Sequence, residues 1–238
     1  MQVDDIIKFK DFDIVQKDNQ MKVSTAGILL GAWCDTHDCH KVLDIGTGTG
    51  VIALIIAKKN QAAEIDAIEI DDLAYVEAQH NVDHSSSGHR INVLKGDIRE
   101  FALKGAGPYD HIVCNPPFFS GGTLTDHQDK DAVRHTTKLG HGDLLIAVSK
   151  LLQEDGYFSV ILPFMEGLRF IEMAERYKLQ VDERVDIKSM EAGPVDRLLV
   201  KFKKCVDTFE ITQSELTIKN LDGSYSEEFK SLAKDFYL

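Results

Sequence analysis

Proline, tryptophan and cysteine are scarce in this chain: 5, 1 and 4 residues out of 238. That composition, with no low-complexity stretch, excludes a fibrous repeat or a disordered acidic tail. The four cysteines (Cys34, Cys39, Cys114 and Cys205) come without an export signal, which argues against a disulfide framework. No apolar run approaches the roughly 20 residues that span a bilayer, and the opening MQVDDIIKFKDFD lacks signal-peptide architecture. A soluble, cytoplasmic protein is the resulting expectation. Positive charge is also in short supply, with 27 Lys+Arg against 39 Asp+Glu and a net charge of −12. Bulk electrostatic binding to DNA or anionic membranes is therefore disfavoured, while a nucleic acid met through a local basic patch is not.

What the chain does have is apolar material, 43% of its residues, enough for one sizeable core. The length fits a single α/β domain over residues 1–238. Cys34, His37, Cys39 and His40 crowd into seven residues, but structural zinc sites draw ligand pairs from two separated segments, and no second pair exists. The expectation is a polar loop entering a strand, with no metal.

From residue 41 short β-rich runs alternate with helical patterns, the signature of a mostly parallel sheet with helices on both faces. Strands are expected at 41–46, 64–70, 91–97, 109–115, 157–163, 179–189 and 196–204, seven in all. Helices are expected at 51–59, at 71–83, and from Leu144 to a stop at Asp155-Gly156; a further one carries Leu168, Ile171, Ala174 and Tyr177 on one stripe. Residues 41–204 then form a Rossmann-like core, with 1–40 and 205–238 as short appendages.

The turn Asp44-Ile45-Gly46-Thr47-Gly48-Thr49-Gly50 joins the first core strand to its helix. Glycines permit a tight turn and let a ligand approach the backbone, with free helix N–H groups facing it. A dinucleotide fingerprint would need glycine at position 51, which is Val51. The acidic residue before the first glycine suits a cationic ligand better than a pyrophosphate. Glu69 ends the second strand, 19 residues after Gly50, where a carboxylate accepts ribose hydroxyls. Asp97 ends the third, placed to accept from an adenine amino group, with Ile70 and Ile98 flanking the ring. An ordinary strand-helix connection would not need three acidic residues at three successive strand ends. The set reads as an S-adenosylmethionine site.

Asn115-Pro116-Pro117-Phe118 follows the fourth strand directly and faces the same crevice. Asn-Pro is a common turn starter, and that is its plain structural reading. The chemical reading is stronger. A conjugated amine is a poor nucleophile because its lone pair is delocalised. Acceptance of its two hydrogens by the Asn115 side-chain oxygen and the Pro116 carbonyl lets the nitrogen turn pyramidal. Prolines stiffen the loop, and Phe118, with Phe119 behind it, can stack on a planar substrate. Arg134, beyond this loop, is a candidate phosphate contact.

The chain resembles the bacterial tRNA1(Val) (adenine-37-N6)-methyltransferases over nearly its whole length. The resemblance rests on Met21-Lys22-Val23-Ser24-Thr25, Leu29-Leu30-Gly31-Ala32-Trp33, LDIGTGTG at 43–50, NPPF at 115–118, Arg134-His135-Thr136 and the ending SYSEEFKSLAKDFYL. It implies a class I methyltransferase fold, S-adenosylmethionine as cofactor, and methylation of the adenine 3′ of the anticodon. Lys22 and Thr25 would then lie near the cofactor or substrate entrance. Where the family usually carries aspartate after this threonine, the chain has Ala26. The expected partner is the anticodon arm of a tRNA, bound by a monomer, with Lys8, Lys10, Lys17, Lys22, Lys201, Lys203 and Lys204 as available cations. Two alternatives stay open: a glutamine methyltransferase acting on a release factor, for which 40 N-terminal residues are few, and a non-catalytic nucleotide-binding scaffold.

Overall fold

The computed structural model describes residues 6–17, 22–116, 139–205 and 210–236. Its centre is an eight-stranded sheet. In chain order the strands are β3 (Lys41–Ile45), β4 (Glu64–Glu69), β5 (Ile91–Lys95), β6 (Tyr109–Cys114), β7 (Leu152–Pro163), β8 (Leu179–Met190), β9 (Arg197–Lys204) and β10 (Thr212–Lys219). Across the sheet they stand β10-β8-β9-β7-β6-β3-β4-β5. Only β9 runs against the rest, pairing antiparallel with both β7 and β8. The chain crosses from the β3–β4–β5 half to β6 beside β3, so the crevice at that reversal opens at the carboxyl ends of the strands.

The central strands bury both faces, as a parallel sheet flanked by helices demands. Val42, Ile65, Ala67 and Val113 point into one core with α1 (Thr25–Trp33), α2 (Val51–Lys59), α3 (Asp72–Asp83) and α7 (Glu227–Ala233). Leu43, Ile45, Ile112 and Cys114 point into the other, with α4 (Ile98–Leu103), α5 (His141–Leu151) and α6 (Phe164–Ala174). Among the described residues no helix is long and apolar enough to cross a membrane.

All seven expected strands are present, and an eighth, β10, comes from the segment read as an appendage. It pairs parallel to β8. The other appendage supplies a hairpin of β1 (Ile6–Lys8) and β2 (Asp13–Val15), whose turn stacks Phe9 on Phe12 at 4.7 Å, and then α1. The helix expected to run to Asp155-Gly156 stops at Leu151, and β7 begins at Leu152. Asp155, at φ 61°, bends the strand where its pairing with β6 shifts register. In α6 the buried positions are Gly167, Phe170 and Ala174, so the stripe through Leu168 and Ile171 lies at its margin.

The Cys34–His40 segment is a loop. Cys34 is buried with its Sγ 3.8 Å from His111 Nε2, whereas His37 and His40 are exposed. Asn60 Nδ2 donates to the carbonyls of Thr36 and Cys39, and Asp110 accepts from the backbone N–H groups of His40 and Lys41, which fixes the entry to β3.

Candidate active site

The glycine turn needs left-handed backbone at three positions: Gly46, Gly48 and Gly50 have φ of 69°, 57° and 83°. A side chain at any of them would be strained. Gly50 caps α2, so the first turn of that helix opens toward the carboxyl ends of β3 and β4. Glu69 holds this turn to its own strand. Its Oε2 accepts from Gly48 N at 2.9 Å, and its Oε1 from Ile70 N and Asp71 N at 2.8 and 2.9 Å.

Asp44, at the end of β3, is fully buried. One oxygen accepts from Thr47 Oγ1 at 2.6 Å, and the other has no hydrogen-bond partner among the described residues. Burial, aided by the nearby negative charge of Glu69 and opposed by the Thr47 bond, pushes its pKa up to about 7. A buried carboxylate oxygen with an unmet acceptor site is suited to a cationic donor.

Asp97 caps α4 by accepting from Arg99 N at 2.8 Å, and the Arg99 guanidinium grips the same carboxylate. That hydrogen bonding holds the Asp97 carboxyl below the usual range. Arg99 is a member of this site that sequence reading did not single out, because a salt bridge over two residues has no periodic signature.

Gly46, Glu69, Ile70, Asp97, Ile98, Asn115 and Pro116 line one pocket of about 160 Å³. That is the size of a cavity that accepts one aromatic ring. Its walls are apolar at Ile68, Ile70 and Ile98, with the carboxylates at its edge. Ile70 is 49% exposed where it lines the pocket, so a planar group bound there would cover it. Of the three acidic strand ends, Glu69 and Asp97 line this pocket and Asp44 does not. Pro116 is buried, and Asn115 lies beside α1: its Nδ2 is 3.7 Å from the point a Cβ on Gly27 would occupy.

Two expected site residues sit elsewhere. Thr25 lines a separate cavity with Arg197 and Ile218, and Lys22 is exposed just before α1. Ala26, where the family aspartate would be, is buried in α1. Pro117, Phe118, Phe119 and Arg134 lie outside the described residues. Of the lysines considered for a substrate, Lys201 pairs with Asp182 and Glu183, Lys203 with Asp155, and Lys204 with Glu154.

Comparison with known proteins agrees with this architecture. The methyltransferase small domain family matches residues 19–180. A tRNA1(Val) (adenine(37)-N6)-methyltransferase from Proteus mirabilis is 38% identical over 233 residues, covering 97% of this chain and 92% of its own. Another, from Trichodesmium erythraeum, is 39% identical and covers 97% of both chains. Among solved structures, a predicted O-methyltransferase from Agrobacterium tumefaciens matches with a TM-score of 0.70 at 18% identity, over 89% of this chain and 96% of that one. A methyltransferase from Pyrococcus furiosus matches at 0.57 and 19% identity, over 82% and 90%. The likeness to these structures establishes the fold, that of the class I methyltransferases. With the full-length relatives alongside, the chain belongs to the tRNA1(Val) (adenine(37)-N6)-methyltransferase family.

Proposed function

We propose that this protein transfers a methyl group from S-adenosylmethionine to N6 of adenine 37, beside the anticodon, in tRNA1(Val). The observation that supports it most directly is that Asn115 and Pro116 share one cleft with Glu69 and Asp97. When bound, S-adenosylmethionine supplies a methyl group on a positively charged sulfur. The chain's own residues do the rest by binding and orientation.

Asp44 meets the positive charge of the donor, with its second oxygen available as acceptor. Glu69 accepts a ribose hydroxyl with the one lone pair that its three backbone bonds leave on Oε2. Ile70 and Ile98 sandwich the donor's adenine, and Asp97 accepts from its amino group while Arg99 keeps that carboxylate ionised and fixed. At the neighbouring position, Asn115 Oδ1 and the Pro116 carbonyl each accept one hydrogen of the substrate amine. The nitrogen lone pair is thereby turned into the cleft, by positioning and oriented dipoles with no strong base. An anticodon-loop adenine is already outside any duplex, so bringing it to this site costs less unstacking than flipping a paired base.

Purified protein with labelled S-adenosylmethionine should be offered three substrates: tRNA from a strain lacking this gene, duplex DNA, and a release-factor peptide. Label is expected in the tRNA alone. Label in peptide glutamine with inert tRNA would replace this reading with the glutamine one, and no transfer to any substrate would favour a binding scaffold.

A further inference from the structure

The cations of β9 fall into two groups by where they stand on the sheet. Lys203 and Lys204 lie toward the amino ends of the parallel strands and Lys201 in mid-sheet opposite Ser159, and each is paired with a carboxylate. Arg197 begins β9 opposite Pro163, the last residue of β7, and so stands at the carboxyl end with Asn115. Lys219 ends β10 opposite Met190, at the same end.

Arg197 and Lys219 line a second cavity, of about 470 Å³, with Ser24, Thr25 and Tyr225. Among the described residues no carboxylate lines it, in a protein whose net charge is −12. Arg197 makes a long ion pair with its neighbour Asp196, at 3.5 Å. The Lys219 ammonium rests 5.6 Å from the centroid of Tyr225, whose ring is itself stacked on buried Phe229 at 4.8 Å. Packing thus holds the ammonium at the cavity without neutralising it.

The first turn of α1 links this cavity to Asn115. The point a Gly27 Cβ would occupy is 3.7 Å from Asn115 Nδ2 and 3.8 Å from the Oγ of Ser24, which lines the cavity. Two cations and the Thr25 hydroxyl, in a cavity lined by the Ser24 that neighbours Gly27 and Asn115, match the chemistry of a backbone phosphate on the strand that carries the reacting base. From this geometry we infer that the Arg197–Lys219 cavity holds a phosphodiester of the RNA substrate, next to the methylated nucleotide. This inference rests on the tRNA reading above. It assigns Thr25 to the RNA, apart from the methyl donor.

The test is steady-state methylation of tRNA at several salt concentrations by wild type, Lys219→Gln, Arg197→Gln and, as control, Lys203→Gln. Each of the first two variants should raise KM for tRNA about five- to tenfold, through loss of a charged hydrogen bond. Each should also reduce the slope of log affinity on log salt by about one. Values of kcat and the S-adenosylmethionine Kd should stay put, Lys219→Arg should restore KM, and Lys203→Gln should change nothing. Unchanged KM and slope in both variants, with wild type still active on tRNA, would overturn this inference and leave the function standing. A loss of kcat or of donor binding without a change in slope would reassign both residues to structure. Calorimetric binding of inorganic phosphate that both variants abolish, with KM for tRNA unaltered, would assign the cavity to a free anion instead. Wild type inert on tRNA would remove the functional reading and this one with it.

Discussion

Asp44 illustrates how one side chain couples folding, pH and ligand charge. Its carboxyl is raised from an ordinary value of 3.8 to about 7, chiefly by burial. Between those values the folded chain keeps a proton that the unfolded chain releases, so this residue's effect is to lower stability as pH rises through that window. A cationic ligand prefers the ionised form. S-adenosylmethionine affinity should therefore climb roughly tenfold per pH unit below 7 and level off above it, with a proton released on binding. Asp44→Asn should bind weakly and lose the slope. Calorimetry across this range decides it, and equal slopes in the two proteins would remove Asp44 from the donor site. At this scale the sequence was informative because the chemistry is positional: an acidic residue at a strand end facing a glycine turn is readable from the order of residues. Arg99 was not, since its importance comes from folding back on Asp97.

Among the elements, the glycine turn depends on a residue far outside its motif. Asn81, in α3, is buried; its Nδ2 donates to the carbonyls of Thr49 and Val15, and its Oδ1 accepts from Val15 N. It ties the ligand-facing turn and the β1–β2 hairpin to one helix. Asn81→Ala would leave these backbone groups unsatisfied and should cost about 1–3 kcal/mol per group. Chemical denaturation measures this, and a midpoint equal to wild type would show that the tie contributes nothing. No pattern in the sequence announces such a contact, because a lone asparagine on a helix face looks like surface. The long apolar strands and α2 were legible from continuous hydrophobic runs. The edge strand β10 was not: of its eight residues only Ile218 is buried, so it carries almost no alternation. The stop of α5 was misplaced for a related reason, since Asp155-Gly156 is a turn signal that the fold spends inside a strand.

On the scale of the whole molecule, the segments outside the alternating pattern complete the core and frame the site. Residues of the hairpin, α1 and α7 join the same apolar cluster as α2, and α1 both approaches Asn115 and lines the cavity of Arg197 and Lys219. With a net charge of −12 the protein has no broad field to attract RNA, so the proposed function leaves recognition to tRNA shape and a few local cations. The central claim, that Asn115 orients the amine of one anticodon-loop adenine, is tested most directly by one measurement. tRNA lacking the modification is incubated with wild type or Asn115→Ala, digested with nuclease, and the methylated fragment is located by mass spectrometry. The expected result is N6-methyladenosine at the position 3′ of the anticodon with wild type, and almost none with Asn115→Ala even though its donor affinity is nearly intact. Methylation at another base, or turnover by a folded Asn115→Ala within a few-fold of wild type, would contradict it.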